Sequence, residues 1–354
     1  MPTSKTSVRK AMMTRSRSKD CGTDAAHALQ SPARKSWLDG LRAIAMLLVI
    51  IGHMVSGVKP YFLFTSPVKI PLFFAISGYV FNENRKSVAQ FFVNLFWHLV
   101  LPWMAWAVIG VVIMLPFNGL SSLPAGLVSI VTDVALWYLP CCIIAETLWF
   151  SAHRLCAGWK AFCLAALVLF GLGLVMVKLD ILNAMMINRA FIAQLYMLIG
   201  YLFRRFEDRL EGAGWLPVAG LLLAYIAMGI ISAALWPGKS IDVHLNHYYN
   251  LPFCMLMIIT GCTALLWGAR RIGRAPRILS FIGKNTLVFY AVHIYAISAV
   301  KLVLNKAGAL PAKPWNAVVC LVPVCILCSA AALFINRFMP LLAGRFHPGK
   351  AKSA

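Results

Sequence analysis

From Trp37 onward the chain passes through one apolar stretch after another, each close to the ~20 residues of helix that a bilayer crossing needs. The expected spans are 38–58, 67–82, 91–115, 128–150, 160–178, 188–204, 215–236, 250–268, 281–304 and 316–339. Hydrocarbon offers backbone groups no water, so each crossing must satisfy its hydrogen bonds internally. The prediction is an all-α polytopic membrane protein of about ten transmembrane helices. Composition agrees, with 61% of the 354 residues hydrophobic and 12% charged, against about 25% charged in soluble proteins. Such a chain cannot assemble a solvated shell of mixed charge, and it is too apolar for a disordered protein. A nucleic-acid binder can be this basic but not this apolar, so membrane lipids are expected as partners and nucleic acid is not.

The excess charge then needs a different explanation. Lys and Arg number 33 and Asp and Glu 11, a formal charge of +22. With the N-terminus assigned to the cytoplasm and ten alternating spans, only Lys59, Lys69, Lys178, Arg189, Lys239, Lys301, Lys306 and Lys313 fall outside. That is the asymmetry of a positive-inside chain with both termini cytoplasmic, placed in the plasma (inner) membrane. Residues 1–36 read as a disordered basic tail without the apolar core of a signal peptide, 37–340 as the transmembrane domain, and 341–354 as a short basic tail. Pro60, Pro67, Pro116, Pro124, Pro237-Gly238 and Pro311 mark the expected loops. The cysteines lie mostly in apolar runs, where a thiol behaves as a small hydrophobe.

Ionisable side chains inside a bilayer are costly, and each is a candidate for function. In the first span Arg42 and His53 stand eleven residues apart. That is three turns to within about 20°, with an axial separation of roughly 16 Å, so they share a face with Met46 and Val49 between them. His293 in the ninth span is a second intramembrane histidine, and Glu146 in the fourth is a carboxylate that either orients a histidine or pairs with an arginine. Asp242, His244 and His247 have a spacing that chance readily supplies in a polar loop, and no metal is expected. Asn188-Arg189 and Lys284-Asn285 read as anchors at span boundaries, and the basic loop 269–277 as a topology determinant, a lipid contact, or in part a contact to a phosphorylated cofactor.

Four segments in order resemble the integral-membrane acyltransferase type 3 family, which includes polysaccharide O-acetyltransferases and relatives of fucose 4-O-acetylase. They are Leu38-Asp39-Gly40-Leu41-Arg42-Ala43-Ile44-Ala45 followed by Gly52-His53, Ile70-Pro71-Leu72-Phe73-Phe74-Ala75-Ile76-Ser77-Gly78-Tyr79-Val80-Phe81, Leu136-Trp137-Tyr138-Leu139-Pro140, and Phe281-Ile282-Gly283-Lys284-Asn285-Thr286-Leu287 with His293. The resemblance implies transfer of an acyl group, usually acetyl from acetyl-CoA, to a sugar hydroxyl of a glycan or lipid-linked acceptor. Arg42 and His53 are the matching positions. Family members often carry an Arg-x-x-x-Arg pair before the proline of the third span. Aligned on Pro102, this chain has Asn94 and His98 there, with Arg85 and Lys86 just upstream as substitutes.

On that reading Arg42, Asp39, Arg85, Lys86 and His98 make up the donor-binding set, and His53, Glu146 and His293 the catalytic set. Arginine suits the donor phosphates through charge-assisted hydrogen bonds. A histidine near neutrality suits removal of a hydroxyl proton, and His53 acts as general base or as a transient acyl carrier. The competing reading is a secondary transporter or flippase for a glycan or lipid intermediate, with His53, Glu146 and His293 as a proton relay. A homo-oligomer is compatible with either.

Overall fold

A computed structural model describes residues 35–55, 58–81, 87–119, 121, 123–132, 136–312 and 315–345. The basic tail 1–34 and the last residues, 346–354, lie outside the described residues. From Ser36 onward the chain is one compact unit. Its elements are all helical: α1 (Ser36–Met54), α2 (Lys59–Lys69), α3 (Pro71–Val80), α4 (Val88–Leu95), a π turn (Phe96–Val100), α5 (Leu101–Asn118), α6 (Leu123–Thr132), α7 (Tyr138–Leu155), α8 (Trp159–Lys178), α9 (Ile187–Leu210), α10 (Leu216–Leu235), α11 (Leu251–Ile272), α12 (Arg277–Lys284), α13 (Thr286–Lys306) and α14 (Trp315–Phe338). Nine stretches among the described residues are long and apolar enough to cross a membrane, and the chain is a multi-pass membrane protein.

The expected fourth span is where the count differs. Residues 128–150 divide between α6 and α7, and α7 is less apolar than the nine because it carries Glu146, His153 and Arg154. Two other expected spans are broken. The second, expected at 67–82, is the continuous apolar stretch 60–80 interrupted at Ile70 between α2 and α3. The ninth breaks at Asn285 between α12 and α13. Several prolines expected in loops lie in helices instead. Pro60 and Pro124 occupy first turns, where the missing N–H has no helical partner to lose, while Pro67 and Pro116 lie further along α2 and α5. Pro102 starts α5 directly after the π turn, which absorbs the hydrogen bond a proline cannot make.

Two helices form the centre. In α1 and in 184–213 the buried share of the apolar window is 67% and 72%, against 17% for α8 and 22% for α10, whose large apolar side chains face outward as lipid-facing surfaces do. Glycine permits the closest crossings. A methyl group on Gly78 would run into the Met197 backbone, and one on Gly200 into Ala75, so α3 and α9 touch main chain to main chain. Gly283 of α12 meets Asp39 of α1 in the same way. α3 runs antiparallel to α1: Tyr79 stands edge-on to Trp37 at 5.1 Å, while Ile70 lies on the same cavity wall as Val49.

Candidate active site

The face of α1 expected to carry Arg42 and His53 borders a cavity of about 170 Å³. Arg42, Met46 and Val49 line it, at the i, i+4, i+7 spacing of one helical stripe. The opposing walls come from Phe73, Ile76 and Ser77 of α3, from Tyr138, Cys142 and Glu146 of α7, and from Thr286, Leu287 and Tyr290 of α13. The lining is apolar along its length with a cation and a carboxylate among the exceptions.

At one end, Arg42 Nη1 lies 3.2 Å from Asp39 Oδ1. Asp39 is fully buried and Arg42 only partly. The carboxylate fixes the guanidinium in register with the cavity, and removing either partner strands a charge. The break between α12 and α13 is held beside it. Buried Asn285 accepts on Oδ1 from Asn336 Nδ2 at 2.7 Å and from Arg345 Nη2 at 2.9 Å, and Arg345 also donates to the Lys284 carbonyl. The next residues, Thr286 and Leu287, are cavity wall.

At the other end of the stripe, one turn past Val49, the exposed ring of His53 meets the buried ring of His293, centroids 5.1 Å apart and planes at 51°. His293 Nδ1 lies 2.7 Å from the Tyr290 carbonyl, which accepts, so Nδ1 carries the proton and Nε2 the lone pair. Nε2 is buried with no hydrogen-bond partner among the described residues. Tyr290 in turn links to α7, its hydroxyl oxygen accepting from the Tyr138 N–H at 3.2 Å.

The remaining expected site residues are more dispersed. Glu146 sits on the wall of the same cavity as Arg42. His98 is not on that wall, though its neighbour Leu99 is. Its Nδ1 lies 2.5 Å from the Gly344 carbonyl, which with Trp106 Nε1 on the Leu342 carbonyl packs the turn 340–345 onto α5. Residues 341–345, expected as tail, therefore belong to the packed unit. Arg85 and Lys86 lie outside the described residues. In the basic loop, Arg270 pairs with Glu207 at 3.0 Å and Glu211 at 3.5 Å, and Arg271 donates to the last carbonyls of α9. Both arginines are thus committed within the protein.

Asn188 and Arg189 are more than boundary anchors. Asp180, Leu182, Met185 and Met186 all adopt positive φ, a costly run for residues other than glycine. Arg189 braces it, donating to Asn183 Oδ1 at 3.1 Å, and donates to the His244 carbonyl at 2.6 Å. Asp242 and His247 exchange backbone hydrogen bonds, and the Asp242 carboxylate accepts from the Leu245 N–H. Burial pushes the Tyr248 phenol well above its usual range, so it stays neutral beside Tyr196, 2.8 Å away. Among the described residues no group of three His, Cys, Asp or Glu side chains is placed to hold a metal.

Lys69 is a residue that the sequence reading left in a tally of loop charges. It lies at the α2–α3 break, its Nζ about 3.6 Å from where a methyl on Gly52 would stand and 4.8 Å from the Phe62 ring centre. The signal was available, since a lysine amid fifteen apolar or small neighbours is an intramembrane charge. Asn285 left a weaker trace, as an amide in an otherwise apolar span. A family model described as an acyltransferase domain matches residues 35–334. Neither the curated proteins nor the solved structures contain a significant match.

Proposed function

The chain belongs to the acyltransferase 3 family and is a membrane acyltransferase, and from that premise we propose that it moves acetyl from acetyl-CoA to a hydroxyl of a glycan or lipid-linked sugar. The observation that carries the reading is one stripe of α1. Arg42, Met46 and Val49 line a single cavity, and His53 continues the stripe to meet His293. The transporter alternative gives way to the family match.

In this proposal Arg42, held by Asp39, binds donor phosphates at its end of the cavity. The apolar wall of Met46, Val49, Ile76 and Leu287 takes the pantetheine arm, whose amides face the hydroxyls of Ser77, Tyr138 and Tyr290. Glu146 shares that wall and acts on the donor side as a positioning residue. Arg85 and Lys86 are further candidates for the phosphates. His98 clasps the C-terminal turn and so supports the wall at Leu99 from behind.

His53 is the general base. It takes the acceptor hydroxyl proton while the oxygen attacks the thioester carbonyl carbon, and the carbon–sulfur bond breaks as the proton passes to the departing sulfur. Protonated His53 needs an acceptor for its second N–H, and the lone pair on His293 Nε2 is the buried acceptor next to it. His293 thereby plays the part a carboxylate plays behind the histidine of a hydrolase triad, with a smaller electrostatic effect because it is neutral. We place the donor and both termini on the cytoplasmic side of the plasma membrane, a reading supported by the basic asymmetry of the sequence. The test is transfer of labelled acetyl by the purified chain in nanodiscs to an oligosaccharide. The reading predicts labelled ester from the parent and loss of it in His53→Ala. Equal labelling by that variant overturns the assignment.

A further inference from the structure

The His53 end of the cavity stripe is unusually cationic for a site set among apolar helices. Lys69 stands beside Gly52, the residue before His53, with its ammonium over the Phe62 ring at 4.8 Å from the centroid, a cation–π contact that offsets only part of the cost of the charge. Lys301 lies on α13, eight residues beyond His293 and so about 12 Å further along that helix. Among the described residues neither lysine is in an ion pair within 4.0 Å. The carboxylate that acts on Lys69 is Asp242, and it is already engaged by the Leu245 N–H.

An intramembrane lysine without a close counter-ion costs several kcal/mol unless something else at the site is negative. Elsewhere in the bundle the cations have acceptors: Arg42 has Asp39 and Arg270 has Glu207 and Glu211, while Arg189, Arg204 and Arg271 donate to carbonyl oxygens. Among the described residues Lys69 and Lys301 have neither, at the place where a proton is to be removed from the acceptor. A low-dielectric rim of one sign concentrates ligands of the other sign. A neutral sugar can offer two ammonium groups only hydroxyl oxygens as acceptors, whereas a carboxylate or phosphate on the acceptor also supplies the missing counter-charge.

Resting on His53 as the acceptor end, we propose that the acceptor is anionic, and that Lys69, assisted by Lys301, holds its carboxylate or phosphate while His53 takes the hydroxyl proton. Lys69 is then the specificity-determining contact on the acceptor, as Arg42 is on the donor. The same chemistry has two sources: the carboxylate of a uronic-acid glycan, or the phosphate of a lipid-linked sugar.

The test uses the full chain in nanodiscs of zwitterionic lipid with three acceptors. These are a uronic-acid oligosaccharide, the same oligosaccharide with its carboxyls reduced to alcohols, and a polyprenyl-phosphate sugar. One of the two anionic acceptors is expected to be acetylated at least tenfold more efficiently than the neutral one, and which of them identifies the source. Lys69→Met, which keeps an unbranched side chain of similar length and removes the charge, is expected to raise the KM for the anionic acceptor at least tenfold without raising that for acetyl-CoA. Lys69→Arg is expected to recover most of the loss, which a purely structural role would not allow. Binding of the three acceptors without donor reads the same preference independently of turnover. A neutral acceptor that binds or reacts as well as both anionic ones, no binding by any of them, or a Lys69→Met variant that raises the acetyl-CoA KM, each overturns the proposal. Retained transfer in His53→Ala instead removes the reading beneath it.

Discussion

His53 and His293, from opposite ends of the chain, meet ring to ring at 5.1 Å, one exposed and the other buried. The buried partner has its proton fixed by the Tyr290 carbonyl, so its remaining nitrogen carries a lone pair, buried and without a partner among the described residues. General base catalysis is worth about 10²–10⁴ in rate. His53→Ala is expected to lose a factor in that range in kcat with acetyl-CoA binding intact. His293→Ala is expected to lose less, and His293→Gln to recover part of it, because an amide oxygen restores an acceptor. The check is kcat and donor KM for the three variants side by side.

The same pair predicts a pH profile. A base must be unprotonated, so lowering the pH through the His53 titration removes activity, and raising it restores activity to a plateau. The residual activity of His53→Ala is expected to lack that acid limb. An unchanged limb in the variant assigns it to another group.

Arg42 and Asp39 form a part-buried pair, and deleting one charge confounds binding with stability. The informative variants are Arg42→Gln alone and Arg42→Gln with Asp39→Asn. A charge-assisted hydrogen bond is worth about 1.5–3 kcal/mol, so both are expected to raise the acetyl-CoA KM at least tenfold. The double variant is expected to be the more heat-stable of the two, measured as monodisperse protein remaining after heating in detergent.

The sequence reading and the structure agree best where a single helix decides the matter. Arg42, Met46, Val49 and His53 follow from a 3.6-residue repeat alone, and Arg42, Met46 and Val49 do line one cavity. Contacts between helices were not legible. Nothing in the spacing of Glu146 says that it lines one cavity with Arg42. Breaks inside apolar stretches were equally hidden, since hydropathy reads residues 60–80 as continuous and is blind to the kink at Ile70. Arg270 and Arg271 looked like free cytoplasmic charge because their partners, Glu207 and the end of α9, lie far off in sequence.

The α3–α9 crossing rests on Gly78 and Gly200, each against the other helix's backbone. Overpacking costs about 1–3 kcal/mol where side chains yield, and main chain yields less. Gly200→Ala is expected to lower the midpoint of thermal inactivation in detergent, whereas Gly171→Ala, with open space around its Cβ position, is expected to leave it unchanged.

The turn 340–345 offers a deletion test. Stopping the chain after Arg345 keeps the hydrogen bonds to His98, Trp106 and Asn285, and stopping after Pro340 removes them all. At about 0.5–1.5 kcal/mol for each bond, the shorter chain is expected to be the less heat-stable, with the cavity wall at Leu287 and Leu99 loosened and the acetyl-CoA KM raised.

The central claim is that acyl groups pass from the Arg42 end of one cavity stripe to an acceptor at the His53 end. Sealed proteoliposomes with a uniform protein orientation test it directly, with labelled acetyl-CoA outside on the side of the Arg42 end and an acceptor oligosaccharide trapped in the lumen. The account predicts labelled ester in the lumen, abolished by His53→Ala, with acetyl-CoA itself remaining outside. Product formed only when donor and acceptor share a compartment contradicts it.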